Sequence, residues 1–233
     1  MPEEMEIMDH LLADIQSGIY DPGDKLPSEN ELADLFRVPR MTVRKAFERL
    51  QELGYIYSKQ GKGRFVKDRH QRIPLMMSGN KSFSNKMIEL GYNYQSKNIL
   101  CKAIEYNHKI YQALGAHEQE RVFKIVRLRI IDHVPIAMHI SYVAESMFPE
   151  IERIGKDITS MYEFYISKGY DPVSESQMLL SVTFPSKFER EILACSGFIP
   201  LLVMEAACKD QTTQKKIDYS KILYRSDYFT YVF

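Results

Sequence analysis

Arg40 and Arg44 stand four residues apart, with Thr42 between them. On a helix that spacing puts both guanidiniums on one face, one turn apart. A guanidinium can bond bidentately to guanine O6 and N7, and a helix fits the width of the DNA major groove. Further on, Gly61-Lys62-Gly63 sets a cation between two residues that lack side chains. A tip of that kind can approach a phosphate backbone closely. A second arginine pair, Arg127 and Arg129, lies two apart in a strand-like run, which points both to the same face. Other chemistries are missing. There is no nucleophile elbow, no Gly-x-Gly-x-x-Gly and no His-Glu-x-x-His. The six histidines are scattered without a metal-ligand spacing. Cys101, Cys195 and Cys208 form no metal pattern or disulfide ladder, which predicts reduced thiols in an intracellular protein. No catalytic residue, metal or cofactor is expected.

The formal net charge is zero over 233 residues, but the charges are unevenly placed. Residues 1–36 hold ten acids and one base, whereas residues 37–72 hold eleven bases and three acids. A basic block in a neutral chain points to one surface that faces a polyanion, with a solvated face as the plain alternative. No apolar run reaches the roughly 18 residues a membrane span needs. The acidic opening Met-Pro-Glu-Glu-Met-Glu does not resemble a secretory signal. A cytoplasmic protein, carried to the nucleoid by binding DNA, is therefore expected.

The elements that would position Arg40 and Arg44 can be read directly. Ile7, Leu11, Leu12 and Ile15 recur at helical spacing before Gly18. Ser28 stands three residues before Glu31, the spacing of a reciprocal helix cap. Leu32, Leu35 and Phe36 give that short helix an apolar face, and Arg37-Val38-Pro39 interrupts it. Pro39 suits the first position of a new helix, whose core stripe is Val43, Phe47, Leu50 and Leu53. Two short helices around a tight turn, the second led by Arg and Thr, make a helix-turn-helix. Tyr55–Ser58 and Arg64–Val66 then read as short strands around the basic tip.

Residues 26–66 resemble the winged helix-turn-helix of the GntR family of bacterial transcription regulators. The matching segments are Leu26-Pro-Ser-Glu-Asn-Glu-Leu-Ala33, Thr42-Val-Arg-Lys-Ala46, Leu53-Gly-Tyr-Ile56 and Gly61-Lys-Gly-Arg-Phe-Val66. The resemblance implies double-stranded DNA as partner, with contacts from Arg40, Thr42 and Arg44 on the recognition helix and from Gly61 at the wing tip, where Lys62 adds charge. Three positions depart from the family pattern. Asn30 occupies a contact position where many members have Arg, Pro39 replaces a capping Ser or Thr, and Arg64 replaces Thr in the wing.

Residues 69–80 read as a linker between a first domain, 1–68, and a second, 81–233. Strands are expected at Val122–Ile131 and Pro135–Val143 with Asp132–Val134 as their turn, and at Leu201–Ala207 and Tyr228–Phe233. Helical segments are expected at Ser160–Ser167 and Phe188–Leu193. The fold class is thus α+β: a winged helix-turn-helix plus a mixed α/β domain. This layout is similar to the UTRA effector domain of the HutC-type branch of the same family, which has a chorismate lyase-like fold. The similarity rests on Ser82-Phe-Ser84, Arg127-Leu-Arg129, Ala137–Tyr142, Ser160-Met-Tyr162, Asp218-Tyr219 and Tyr224–Asp227. It implies a homodimeric regulator, a repressor whose operator affinity is controlled by a small phosphorylated or carboxylated metabolite bound in a cleft of the second domain. Ser82, Phe83, Ser84, Arg127, Arg129, Ser160 and Tyr162 would surround the anionic group, with Asp218 and Tyr224 at the other end. His139 stands where many members have Glu, so the branch's usual sugar ligands are not assumed.

Plainer readings stand beside these. Arg127 and Arg129 fit a solvated strand face, Ser160 a helix cap, and Phe83, Tyr162 and His139 core packing. Two other functions are weighed as well. One is lyase-like catalysis in the second domain. The other is a GntR regulator whose second domain is all-helical and binds metal.

Overall fold

The computed structural model describes residues 3–68, 73–76 and 82–232. They form two compact units. The first comprises Met1–Pro74 with Cys195–Ile199 and Asp227–Thr230. Its helices are α1 (Glu3–Ser17), α2 (Glu29–Phe36) and α3 (Arg40–Glu52), followed by strands β1 (Ile56–Lys59) and β2 (Gly63–Val66). Ser28 Oγ accepts from Glu31 N at 3.2 Å, and Glu31 Oε2 accepts from Ser28 N at 2.6 Å. These two bonds close the reciprocal cap that starts α2. Arg37, at φ 55°, stops the helix in the left-handed region. Pro39 is the cap residue of α3 rather than its first helical residue. It is extended, at φ −59° and ψ 139°, and makes no side-chain cap bond. The likeness of the proline φ to a helical φ misleads, because ψ sets the boundary.

Ile7, Leu11, Leu26, Leu32, Val43, Phe47, Leu50, Ile56 and Val66 form the core of this unit. Each such side chain contributes about 1.5–3 kcal/mol by leaving water. β1 and β2 pair antiparallel, with Lys59 opposite Gly63. Gly61 at φ 69° and Gly63 at φ 108° turn the chain between them. Within the expected linker, Ile73–Met76 is a strand, β3, paired with β10 (Phe229–Val232). The other linker residues, 69–72 and 77–80, lie outside the described residues, as do Lys81 and the last residue of the strand expected at 228–233.

The second unit is built on a six-stranded antiparallel sheet. Its strands are β4 (Tyr94–Ala103), β5 (Val122–Ile131), β6 (Val134–Ala144), β7 (Pro172–Thr183), β8 (Leu201–Asp210) and β9 (Lys216–Arg225), in the order β4-β5-β6-β9-β8-β7. The helices are α4 (Phe83–Glu89), α5 (His108–Leu114), α6 (Ile151–Ile154), α7 (Met161–Ser167) and α8 (Lys187–Leu193). A sheet of this size excludes the all-helical alternative for the second domain. The β5–β6 turn has two residues, Asp132 and His133, both at positive φ, so Val134 already belongs to β6.

Strand alternation builds the site. Phe123 and Ile125 of β5 and Val143 of β6 pack into a core with Phe148, Met161, Phe164 and Tyr165. Two and four residues further along the same face the side chains change to Arg127, Arg129, His139 and Ser141. One face of one sheet is therefore apolar at one end and polar at the other.

Candidate functional site

The polar end of that face floors a cavity of about 390 Å³. All ten residues expected around a ligand line it: Ser82, Phe83, Ser84, Arg127, Arg129, His139, Ser160, Tyr162, Asp218 and Tyr224. The strand register sets their order. Arg129, Ala137 and Tyr224 form one cross-strand row, and Arg127, His139 and Ile222 the next. Ser141 and Ser220 form the row after that.

Both arginines are almost fully buried, at 4% and 3% exposure. Arg127 donates from Nη2 to Ser141 Oγ at 2.6 Å, and Ser141 donates to Asp218 Oδ2 at 3.2 Å. Arg129 donates from Nη1 to Tyr94 Oη at 2.7 Å, Ser96 Oγ at 2.5 Å and the Thr159 carbonyl at 2.9 Å. Neither Nε has a hydrogen-bond partner among the described residues. Burial, then the neighbouring Arg129, pushes Arg127 down to about 10, with Asp218 acting the other way. Burial likewise lowers Arg129. Both remain cations near neutral pH. Lys86, on the first turns of α4, adds a third cation that burial lowers.

One carboxylate faces these cations. Burial pushes Asp218 up to about 6, opposed by Arg127 and by hydroxyl bonds from Ser220 and Ser141. Its Oδ2 accepts from Ser220 at 2.9 Å. Its Oδ1 has no hydrogen bond of good geometry, although the Tyr165 hydroxyl acts on it. His139 is held well below its ordinary value by burial and by Arg129 and Arg127. Two hydroxyls are committed locally: Ser82 Oγ accepts from Asn85 N at 3.1 Å, and Ser160 Oγ from Glu163 N at 3.3 Å. Both are helix caps as well as cavity residues, so the two readings of Ser160 coexist. Each hydroxyl keeps its hydrogen to donate. Phe83 packs edge-on to His139 at 4.9 Å and beside Tyr94 and Tyr224. Net positive charge, buried N–H groups and an aromatic wall suit an anion with an organic body.

The sequence reading passed over Lys86, Ser141, Tyr165, Cys208 and Ser220, which also line the cavity. Ser141 lies two residues from His139 in an expected strand, so alternation could have found it, whereas Ser220 lies on β9, which no sequence signal announces.

The candidate DNA surface lies in the first unit. The side chains of Arg40 and Arg44 are 66% and 54% exposed at the start of α3. Asn30, Gly61 and Lys62 are exposed, and Thr42 is half-buried. Arg40 Nε donates to Glu29 Oε2 at 2.7 Å, and Arg64 Nη1 to Glu29 Oε1 at 2.8 Å. The Arg64 guanidinium also lies 4.4 Å from the Phe47 ring centroid. Arg64 thus braces the wing against the helices. Among the described residues no helix is long and apolar enough to cross a membrane, and no cluster of three metal-ligating side chains occurs.

Comparison with known proteins places this architecture. Residues 4–66 match the bacterial regulatory proteins of the gntR family, and residues 89–230 match the UTRA domain family. The chain belongs to the GntR family of transcription regulators, in the branch that carries a UTRA domain. It is 27% identical to the HTH-type transcriptional repressor NagR of Bacillus subtilis, over all of this chain and 94% of that protein. It is 25% identical to a probable fructoselysine utilization operon transcriptional repressor of Shigella flexneri, over 96% of this chain and 90% of that one. Its fold is like that of PhnF from Mycobacterium smegmatis, with a TM-score of 0.64 at 19% identity, covering 98% of this chain and 96% of the other. These families and relatives are regulators, not enzymes.

Proposed function

We propose that the chain is a cytoplasmic, homodimeric repressor whose operator affinity is set by a small anionic metabolite, a phosphosugar or carboxylate, bound in the second-unit cavity. The observation that carries this reading is the pair of buried arginines, each with an unpartnered Nε, on a cavity floor that holds one carboxylate. Stacking two buried like charges costs stability, and an anionic ligand offsets that cost. On the DNA side, Arg40, Thr42 and Arg44 read bases, while Asn30, Gly61 and Lys62 contact the backbone. Two recognition helices would meet half-sites about one helical turn apart. For a second copy, the edge strand β7 and the residue after it supply an apolar flank, with Leu179 and Val182 of β7 and Phe184 beyond it at 53%, 64% and 65% exposure. Two relatives named as repressors, NagR and the probable repressor of a fructoselysine utilization operon, support repression as the sign of control.

The test is fluorescence anisotropy with the duplex upstream of the protein's own gene, against a scrambled duplex, at two salt concentrations. Tight, salt-sensitive binding to the first alone, lost in Arg44→Ala, is expected. Phosphorylated sugars and sugar acids should then release the duplex from the wild type but not from Arg127→Ala. Equal weak binding to both duplexes, or release that survives Arg127→Ala, refutes the corresponding half of the proposal.

A further inference from the structure

His139 is 5% exposed, on β6 between Arg127 of β5 and Ile222 of β9. Its Nδ1 lies 3.4 Å from Nη2 of Arg129. A guanidinium only donates, so in this contact Nδ1 accepts. A neutral imidazole that accepts at Nδ1 carries its hydrogen on Nε2. That Nε2–H is buried and has no hydrogen-bond partner among the described residues. Its ring neighbours are the edges of Phe83 and Tyr224, at 4.9 and 5.6 Å between centroids. An aromatic ring is at most a weak acceptor. Burial and the two arginines keep the ring neutral.

Three buried N–H donors without partners therefore share one end of the cavity: His139 Nε2, Arg127 Nε and Arg129 Nε. The carboxylate of Asp218 is reached from Arg127 through Ser141 and is acted on by the Tyr165 hydroxyl. Asp218 sits four residues along β9 from Ile222, a distance of roughly 13 Å at the usual rise per strand residue. The end with Arg127, Arg129 and His139 therefore holds N–H donors without acceptors, whereas hydroxyls surround Asp218.

We propose that His139 determines effector specificity by donating from Nε2 to an oxygen that only accepts, a carbonyl or carboxylate carried near the anionic group that the arginines bind. This rests on the reading of the cavity as the effector site. A hydroxyl at the same point also accepts from Nε2–H, but it brings a hydrogen of its own into an end already crowded with donors. That hydrogen goes unbonded, and a buried unbonded donor costs affinity by about tenfold or more. The preferred effector is an anion with a carbonyl or second acid group beside it, and with a hydroxyl or amine toward Asp218. An alcohol analogue of the same skeleton is rejected.

Two measurements test this. The first needs no ligand: long-range nitrogen–proton correlation spectra of the full chain labelled in its six histidines, with His139→Gln assigning the signal. The Nε2–H tautomer at pH 7 is expected. An Nδ1–H tautomer or an imidazolium overturns the proposal. The second is calorimetric titration of the full chain with dihydroxyacetone phosphate, 3-phosphoglycerate and glycerol 3-phosphate; against the last, the first has a ketone in place of the alcohol beside the phosphoester arm, and the second has a carboxylate in place of the terminal alcohol. The wild type should bind the first two at least tenfold more tightly than the third. His139→Gln, which keeps an N–H, should preserve that order, and His139→Glu, which only accepts, should reverse it. An order unchanged in His139→Glu overturns the role of His139 while leaving the anion site standing. If none of the three probes binds, and inorganic phosphate gives no heat that Arg127→Ala abolishes, the cavity reading itself fails and this inference with it.

Discussion

Asp218 offers a quantitative check on the electrostatics of the cavity. Burial lifts its carboxyl to about 6, against 3.8 for an ordinary aspartate. The gap is about two pH units, and each is worth about 1.4 kcal/mol, so the two protonation states differ by about 3 kcal/mol in what they add to folding. The sign follows from which state holds the proton. The folded chain binds it more tightly, so the contribution is fully present below about pH 4 and is lost as pH rises through 6. Replacing Asp218 by Asn removes this dependence while keeping shape and hydrogen bonding to Ser141 and Ser220. Urea denaturation of both proteins, followed by circular dichroism from pH 4.5 to 7.5, isolates the residue because the other groups cancel. The stability of Asp218→Asn relative to wild type should rise by about 2 kcal/mol across that window, which captures most of the total. A difference that stays flat, or that falls with rising pH, refutes a carboxylate whose burial outweighs its partners at this position.

Other perturbations have equally definite outcomes. Arg44→Ala should weaken specific operator binding by about 1–3 kcal/mol in the anisotropy assay, with little change in folding, because its side chain is exposed. Gly155→Ala should lower the free energy of unfolding, read from urea denaturation, by about 1–3 kcal/mol. A Cβ there would fall 2.4 Å from Cys101 Sγ and 2.5 Å from the Ile151 carbonyl, so Cys101→Ala should rescue it only in part. Ser28→Ala, which removes the capping hydroxyl of α2, should cost about 1 kcal/mol in thermal unfolding. Val182→Asp on β7 should shift the protein from dimer to monomer in sedimentation velocity; an unchanged dimer would place the interface elsewhere.

The first unit was largely legible in the sequence because its signals are local. A reciprocal cap needs two residues three apart, a helix stripe needs one period, and a wing needs glycines at its tip. In the second unit, β5 and β6 were legible because they are buried apolar runs joined by a short turn. β4, β7 and β9 were missed, as were α4, α5 and α6. β9 reads Lys-Ile-Asp-Tyr-Ser-Lys-Ile-Leu-Tyr-Arg, with acids and hydroxyls where a core strand would carry aliphatics. Asp218, Ser220 and Tyr224 face the cavity, and polar groups at these positions erase the pattern that announces a strand. The same holds for α4, whose first turn is spent on Ser82, Phe83 and Ser84. The ten candidate ligand residues were named through family resemblance. Their convergence depends on the pairing of β6 with β9, a contact between segments some 80 residues apart, which no local signal encodes.

The double grip of Glu29 has its own consequence for how the protein meets DNA. Its carboxylate holds one guanidinium from the recognition helix and one from the wing. Although burial pushes the other way, Arg64 and Arg40 keep it below the usual carboxylate range, so it stays ionised near neutral pH. In the unbound protein it stands in for a phosphate. Any duplex that recruits Arg40 through Nε must first displace this internal rival, whatever its sequence. An operator offsets that competition with base-edge contacts, whereas a random stretch offers phosphates alone. The rival would therefore weaken by a similar factor every complex that recruits Arg40, operator and random site alike, and would spare those that leave Arg40 with Glu29.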